Sequence, residues 1–162
     1  MTGRIKAGEG GLIGSAGEFY VMAELLKRGI VAGLTPRNTM SFDILATNKN
    51  RNVRVRVKTK SQEYSDWQWA VKKDGSIFRD LSEDSDFTVL VDLAMDTKEL
   101  KFYIMPTHKI NEILKNDFDE WVRTPGRNGR PHDPKNKKRH LGQIRNADSL
   151  EGTLNNWDSI WE

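Results

Sequence analysis

An α/β fold, one mixed sheet of about five strands flanked by helices, is what this sequence predicts, and three patterns predict it. Val53 to Lys60 alternates valine with cations, which gives a strand one apolar face and one basic face. Phe87 to Leu93, FTVLVDL, is nearly continuous in apolar residues, as a central strand covered on both faces would be. Helical patterns come before and after the strands, an order that places helices on the faces of a single sheet.

Taken in order, residues 1–14 hold Gly8, Gly10, Gly11 and Gly14 and few large side chains. A flexible N-terminal segment is expected there, followed by a single domain over 15–162. The GEGGLIG string follows no strand, so it does not read as a dinucleotide loop. Ser15-Ala16-Gly17-Glu18 has the form of a capping box, which predicts a helix from about Ala16 to Lys27, closed by Gly29. Its apolar stripe is Phe19, Met22, Leu25 and Leu26. Glu18 either points along that face or only completes the cap.

Ser41 to Thr47 reads as a strand with Phe42 and Ile44 on one face and Asp43 and Leu45 on the other. Asn48 to Asn52 is turn chemistry, and Val53 to Lys60 returns as the next strand. Trp67 to Val71 and Ser76 to Phe78 flank Asp74-Gly75, a hairpin signal. Leu100 to Met105 is a further strand stopped by Pro106, and Thr107 caps a helix through about Lys115. Residues 123–140 carry seven Lys/Arg, one acid and three prolines, and predict a basic loop. Leu150, Leu154, Trp157, Ile160 and Trp161 suit a short helix docking on the core.

At 162 residues the chain can bury a core without staples, and its lack of cysteine excludes disulfides, zinc ribbons and thiol catalysis. No apolar run approaches the ~20 residues of a membrane span, and the N-terminus lacks a signal-peptide core, so a cytoplasmic protein without a membrane partner is expected. The net charge of +3 is segregated: +7 over residues 1–60, −7 over 61–120 and +3 over 121–162. A basic patch can therefore meet a polyanion although the whole chain is only weakly basic. His108, His132 and His140 show no metal-ligand spacing, which argues against a zinc site or a Ser/His triad.

The chemistry-bearing candidates are Glu18, Asp43 and Lys58. Phosphodiester hydrolysis needs a divalent cation, carboxylates to hold it and a group near the attacking water. Mg²⁺ keeps several of its waters, so one or two carboxylates suffice, and a lysine can serve the water or the developing charge. In order and spacing, GEFYVMAELLKRG, FDILATN, VRVKTKS, FTVLVDL, FYIMP and WDSIW resemble the PD-(D/E)XK nuclease superfamily. The similarity is to its small stand-alone Holliday-junction-resolvase-like and restriction-endonuclease-like members, over roughly residues 12–162.

The resemblance implies a restriction-endonuclease-like sheet, a metal held by Glu18 and Asp43, and Lys58 as the catalytic lysine. The Val57 carbonyl is a further ligand it offers. Arg56 falls where the family has Glu or Gln. There it either pairs with the two carboxylates in the metal's place or swings out to grip the scissile phosphate. Glu63 is a candidate displaced acid. The cofactor implied is Mg²⁺ or Mn²⁺ if the site is active, and none otherwise.

The partner implied is nucleic acid, DNA rather than RNA, and a homodimer stays open. Arg54, Lys60, Trp67 and Trp69 are candidates to contact it on the basic strand and its neighbour, the tryptophans by stacking. Arg127, Arg130, Lys135, Lys137, Lys138 and Arg139 are candidates for phosphate contacts. Three functions remain open. One is a metal-dependent DNA endonuclease, one an inactive nuclease-fold DNA-binding or regulatory protein, and one a protein-interaction component using its acidic segment 61–120.

Overall fold

Glycine at three of its first five positions does not keep the first helix from forming. The computed structural model describes residues 9–162, so Gly8 and the rest of 1–8 lie outside the described residues. Helix α1 already runs over Gly10–Lys27. The expected start at Ala16 is corrected: Ser15 sits inside the helix, and its hydroxyl donates to the Gly11 carbonyl at 2.9 Å. The C-terminus follows the sequence signal. Gly29 takes φ 76°, its N–H bonds the Leu26 carbonyl, and the Ile30 N–H bonds that of Leu25.

The strands β1 (Val31–Leu34), β2 (Ile44–Thr47), β3 (Asn52–Ser61), β4 (Asp66–Ala70) and β5 (Asp86–Leu93) precede β6 (Lys101–Pro106). Helix α2 (Thr107–Arg123), β7 (Lys138–Gly142) and the one-turn α3 (Ala147–Leu150) follow, and a 3₁₀ turn at Trp157–Ile160 closes the chain. Five strands form a mixed sheet in the order β1-β2-β3-β5-β6, with β3 and β5 parallel and the other pairs antiparallel. β4 and β7 form a separate antiparallel ribbon. Among the described residues no helix is long and apolar enough to cross a membrane.

The period-two pattern of β3 sorts its side chains onto two layers. Val53 and Val55 face α1, with Val21, Leu25, Ile44, Val89 and Ile104 in the first core cluster. The second cluster lies on the other side, where Trp67, Leu90, Tyr103, Ile110, Leu114 and Leu141 join the ribbon and α2 to the sheet. β5 is buried along its whole length, as its apolar run predicts.

Four expectations change. The face of α1 that packs is Gly17, Val21 and Leu25, whereas Phe19 is 64% exposed and Leu26 also faces solvent. Asp74-Gly75 makes a local turn, but β4 pairs with β7 some seventy residues on rather than with Ser76 to Phe78. The helix expected to end near Lys115 runs to Arg123, and Thr107, expected to cap it, is its first residue, with its hydroxyl donating to Asp86 instead. Residues 138–140, expected in a loop, are strand, while Arg127–Gly129 is a 3₁₀ turn.

Candidate active site

The cations of β3 meet different partners because β3 runs parallel to β5. Register sets Arg54 beside Asp86, Arg56 beside Thr88, Lys58 beside Leu90 and Lys60 beside Asp92. Two acids of β5 therefore lie among the cations, and both are buried. Lys60 Nζ is 2.6 Å from Asp92 Oδ1 and lies over the Trp67 ring. Arg54 lies 3.6 Å from Asp86 and packs over Phe42. Lys58 alone of the four faces an apolar register partner.

Arg56 is locked away from the carboxylates it was expected to meet. It is 8% exposed, and its guanidinium donates twice to Asp86, through Nε at 2.9 Å and an Nη at 2.7 Å. The same group also donates to the carbonyls of Ser41 and Arg79, at 2.7 and 2.6 Å, and sits over the Phe78 ring. Asp86 additionally accepts from the Thr107 hydroxyl at 2.7 Å. Arg56 is thus paired with Asp86 and not with Glu18 or Asp43, although its charge still acts on Asp43. A fully buried carboxylate on the adjoining strand requires a counter-ion, and Arg56 is that counter-ion.

Glu18 and Asp43 do come together. α1 reaches β3 through Gly17, where an added Cβ would sit 1.8 Å from Thr59 Oγ1, and this close approach brings the next residue, Glu18, to the sheet. Asp43 enters β2 with its N–H on the Val55 carbonyl, and its Oδ2 accepts from the Val57 N–H at 2.7 Å. Both carboxylates line a cavity of about 170 Å³ with Thr35, Arg37 and Phe42.

Their electrostatics agree with that placement. Burial raises the Asp43 carboxyl above its usual range, against the Val57 N–H and the charges of Arg56, Lys58 and Arg37. Burial and then the Asp43 charge raise Glu18, with Arg37 opposing. Lys58 shifts the other way: burial lowers its ammonium, Asp43 opposes this, and Lys72 adds to it. Its Nζ lies 5.4 Å from the Trp69 ring centre.

Two hard oxygen donors in one small cavity, each penalised when charged, fit a divalent cation that keeps its waters. Among the described residues no group of three or more His, Cys, Asp or Glu could hold a metal ion, and the acidic residues lining this cavity are Glu18 and Asp43. Glu63 is exposed in the turn after β3.

Other expected contacts divide by burial. Trp67 is 1% exposed, with its indole N–H on the Val91 carbonyl, so neither it nor Lys60 can meet a nucleic acid. Trp69 is half-buried, packed edge-on against Phe78, and forms a wall beside Lys58. Arg139 donates to the Asn136 and Lys138 carbonyls and lies over Phe118, so it serves the fold. Arg127, Arg130, Lys135, Lys137 and Lys138 are exposed. Sequence reasoning missed Arg37, which follows Pro36 in the β1–β2 connection and bonds Ser15 of α1. The turn string Thr35-Pro36-Arg37-Asn38, with Asn38 at φ 62°, was its available signal.

The arrangement can be set beside solved structures. A bacterial homing endonuclease, I-Ssp6803I, matches over 93% of this chain and 90% of its own, at 16% identity and a TM-score of 0.50. The fold is restriction-endonuclease-like. Hjc, a Holliday junction resolvase from the archaeal hyperthermophile Archaeoglobus fulgidus, aligns over 91% of this chain and 93% of its own, at 12% identity and a TM-score of 0.48. No family model matches the chain, and no curated protein matches it in sequence. In this fold, the β2 entry and the middle of β3 carry Asp43 and Lys58.

Proposed function

We propose that this chain is a divalent-cation-dependent endonuclease that hydrolyses phosphodiester bonds in DNA. The observation that carries the reading is the isolation of Lys58. It is the one β3 cation of the four with neither Asp86 nor Asp92 as partner, and the acid acting on it is Asp43. Glu18 and Asp43 would hold Mg²⁺ or Mn²⁺, which supplies the positive charge that a phosphate under attack requires. The Val57 N–H fixes Asp43 through one carboxylate oxygen.

Lys58, its ammonium destabilised by burial, gives up a proton more readily than a surface lysine, so its amine can take the proton of the attacking water. Protonated, it stabilises the developing negative charge. The exposed cations of 127–138 suit the flanking phosphates. With Arg56 committed to Asp86, the metal cavity keeps its two acids without a guanidinium salt bridge from β3.

A nicking assay with Mg²⁺ and with Mn²⁺, run on the wild type and on Lys58→Ala, tests the reading. Cleavage by the wild type and none by the variant is expected. Equal cleavage by both, or none by either, overturns it.

A second reading, a nuclease-fold DNA-binding protein without catalysis, draws on Arg37. That cation shares the cavity with the two acids and opposes the upward shift that burial gives each. It predicts DNA binding indifferent to EDTA and no Mn²⁺ binding. The protein-interaction reading weakens because Asp86 and Asp92 of the acidic segment are internal counter-charges.

A further inference from the structure

A second cavity, of about 640 Å³, shares no lining residue with the Glu18–Asp43 cavity and lies between α2 and β7. Its apolar wall is Leu114, Phe118 and Trp121 of α2. Flat groups are stacked along that wall. Phe118 and Trp121 stack at 5.6 Å, His132 stacks on Trp121 at 4.0 Å, and the Arg139 guanidinium lies 3.3 Å from the Phe118 ring centre. Trp121 nonetheless keeps 37% of its surface exposed.

The remaining lining is polar and of both signs. Asp66, Asp117 and Glu120 face Lys138, His140 and Arg145. Their ion pairs are long, 3.6 Å for His140 with Asp66 and 3.7 Å for Arg145 with Asp117. Pairs this loose are weakly held and can open to a ligand that hydrogen-bonds better. A phosphate inside would meet three carboxylates at once. A purely apolar group would strip water from them and return no hydrogen bonds. A nucleobase satisfies both demands, since its face stacks and its edge carries donors and acceptors together.

We propose that this cavity receives an unpaired nucleobase, while Arg127, Arg130, Lys135 and Lys137 hold the adjoining phosphates. Those exposed cations belong to the segment whose Thr124 and Asn136 line the cavity. The proposal rests on the nucleic-acid reading of the chain and narrows it to substrates with unpaired bases, since a base inside a duplex has both faces stacked and its Watson–Crick edge occupied.

Fluorescence anisotropy in EDTA with three labelled probes tests it: a short single strand, the same strand made abasic, and the blunt duplex. The base-bearing strand is expected to bind about 10- to 100-fold more tightly than the abasic one. Trp121→Ala should abolish that difference and leave abasic binding unchanged. A duplex bound as tightly as the single strand, or a difference that survives in Trp121→Ala, overturns the proposal.

Should Trp121→Ala fail to fold, the Trp121 indole N–H resonance of the wild type decides. A nucleoside at millimolar concentration either shifts it, as expected, or leaves it in place and sinks the assignment. None of these probes depends on metal. A wild type that binds no Mn²⁺ ends the nuclease reading alone, and equal affinity for all three probes ends this one alone.

Discussion

Replacing Arg56 with glutamine, the residue type the resembled nucleases carry there, should cost stability and gain no metal site. Asp86 has no solvent exposure and loses two donors, at 2.9 and 2.7 Å, keeping the Thr107 hydroxyl and Arg54 at 3.6 Å. Removing one partner of a buried ion pair costs about 3–5 kcal/mol, and the residual Arg54 favours the lower half of that range. The Ser41 and Arg79 carbonyls also lose their guanidinium donor, worth about 1 kcal/mol each net. A total of about 5–6 kcal/mol, divided by a urea slope of about 2 kcal/mol/M, lowers the unfolding midpoint by about 2.5–3 M. Urea titration followed by circular dichroism reads this directly. An Arg56→Gln protein as stable as wild type that binds Mn²⁺ more tightly would refute the reasoning, because Arg56 would then be a site residue and not the counter-ion of Asp86.

Other perturbations separate fold from site. Gly17→Ala places a methyl 1.8 Å from Thr59 Oγ1 and should destabilise by about 1–3 kcal/mol while displacing Glu18, with partial rescue by Thr59→Ala in thermal unfolding. Trp67→Ala should cost about 3–5 kcal/mol of folding stability, as an indole buried beneath the ribbon rather than a base platform would. Lys58→Met should abolish cleavage yet match or exceed wild-type stability in urea, because it removes an ammonium that burial disfavours. The pH dependence has a fixed sign. The folded-state pKa of Asp43 is raised, so the metal-free protein loses stability as pH rises from the ordinary carboxylate value of 3.8 through the raised one. Asp43→Asn should therefore melt above wild type at neutral pH in EDTA, with the gain vanishing near pH 3.8.

The parts of this fold legible in the sequence are those set by local chemistry. The Gly29 stop of α1, the valine alternation of β3, the apolar β5 and the Pro106 limit of β6 each follow from a nearby pattern. So does the pairing of β2 with β3 across the Asn48–Asn52 turn. What stayed hidden depends on contacts distant in sequence. β4 finds β7 only after α2 has folded back, so Asp74-Gly75 looked like the hairpin turn. The same distance concealed the counter-ions of the basic strand face. Asp86 and Asp92 look like part of an acidic segment until parallel register sets them beside Arg54 and Lys60. Glu18 and Asp43 were readable as a pair through the family resemblance, whereas the role of Arg56 was not, since nothing local announces a buried acid thirty residues on. The start of α1 was missed because glycine's low helix propensity is overridden by packing along the rest of the helix.

Titration calorimetry of Mn²⁺ into the wild type, Glu18→Gln and Asp43→Asn tests the central claim most directly. The account predicts that the wild type binds Mn²⁺, that Asp43→Asn loses the binding and that Glu18→Gln weakens it, while all three proteins keep their circular dichroism spectra. Mn²⁺ binding that is absent from the wild type, or unchanged in both variants, would contradict a cation site at Glu18 and Asp43.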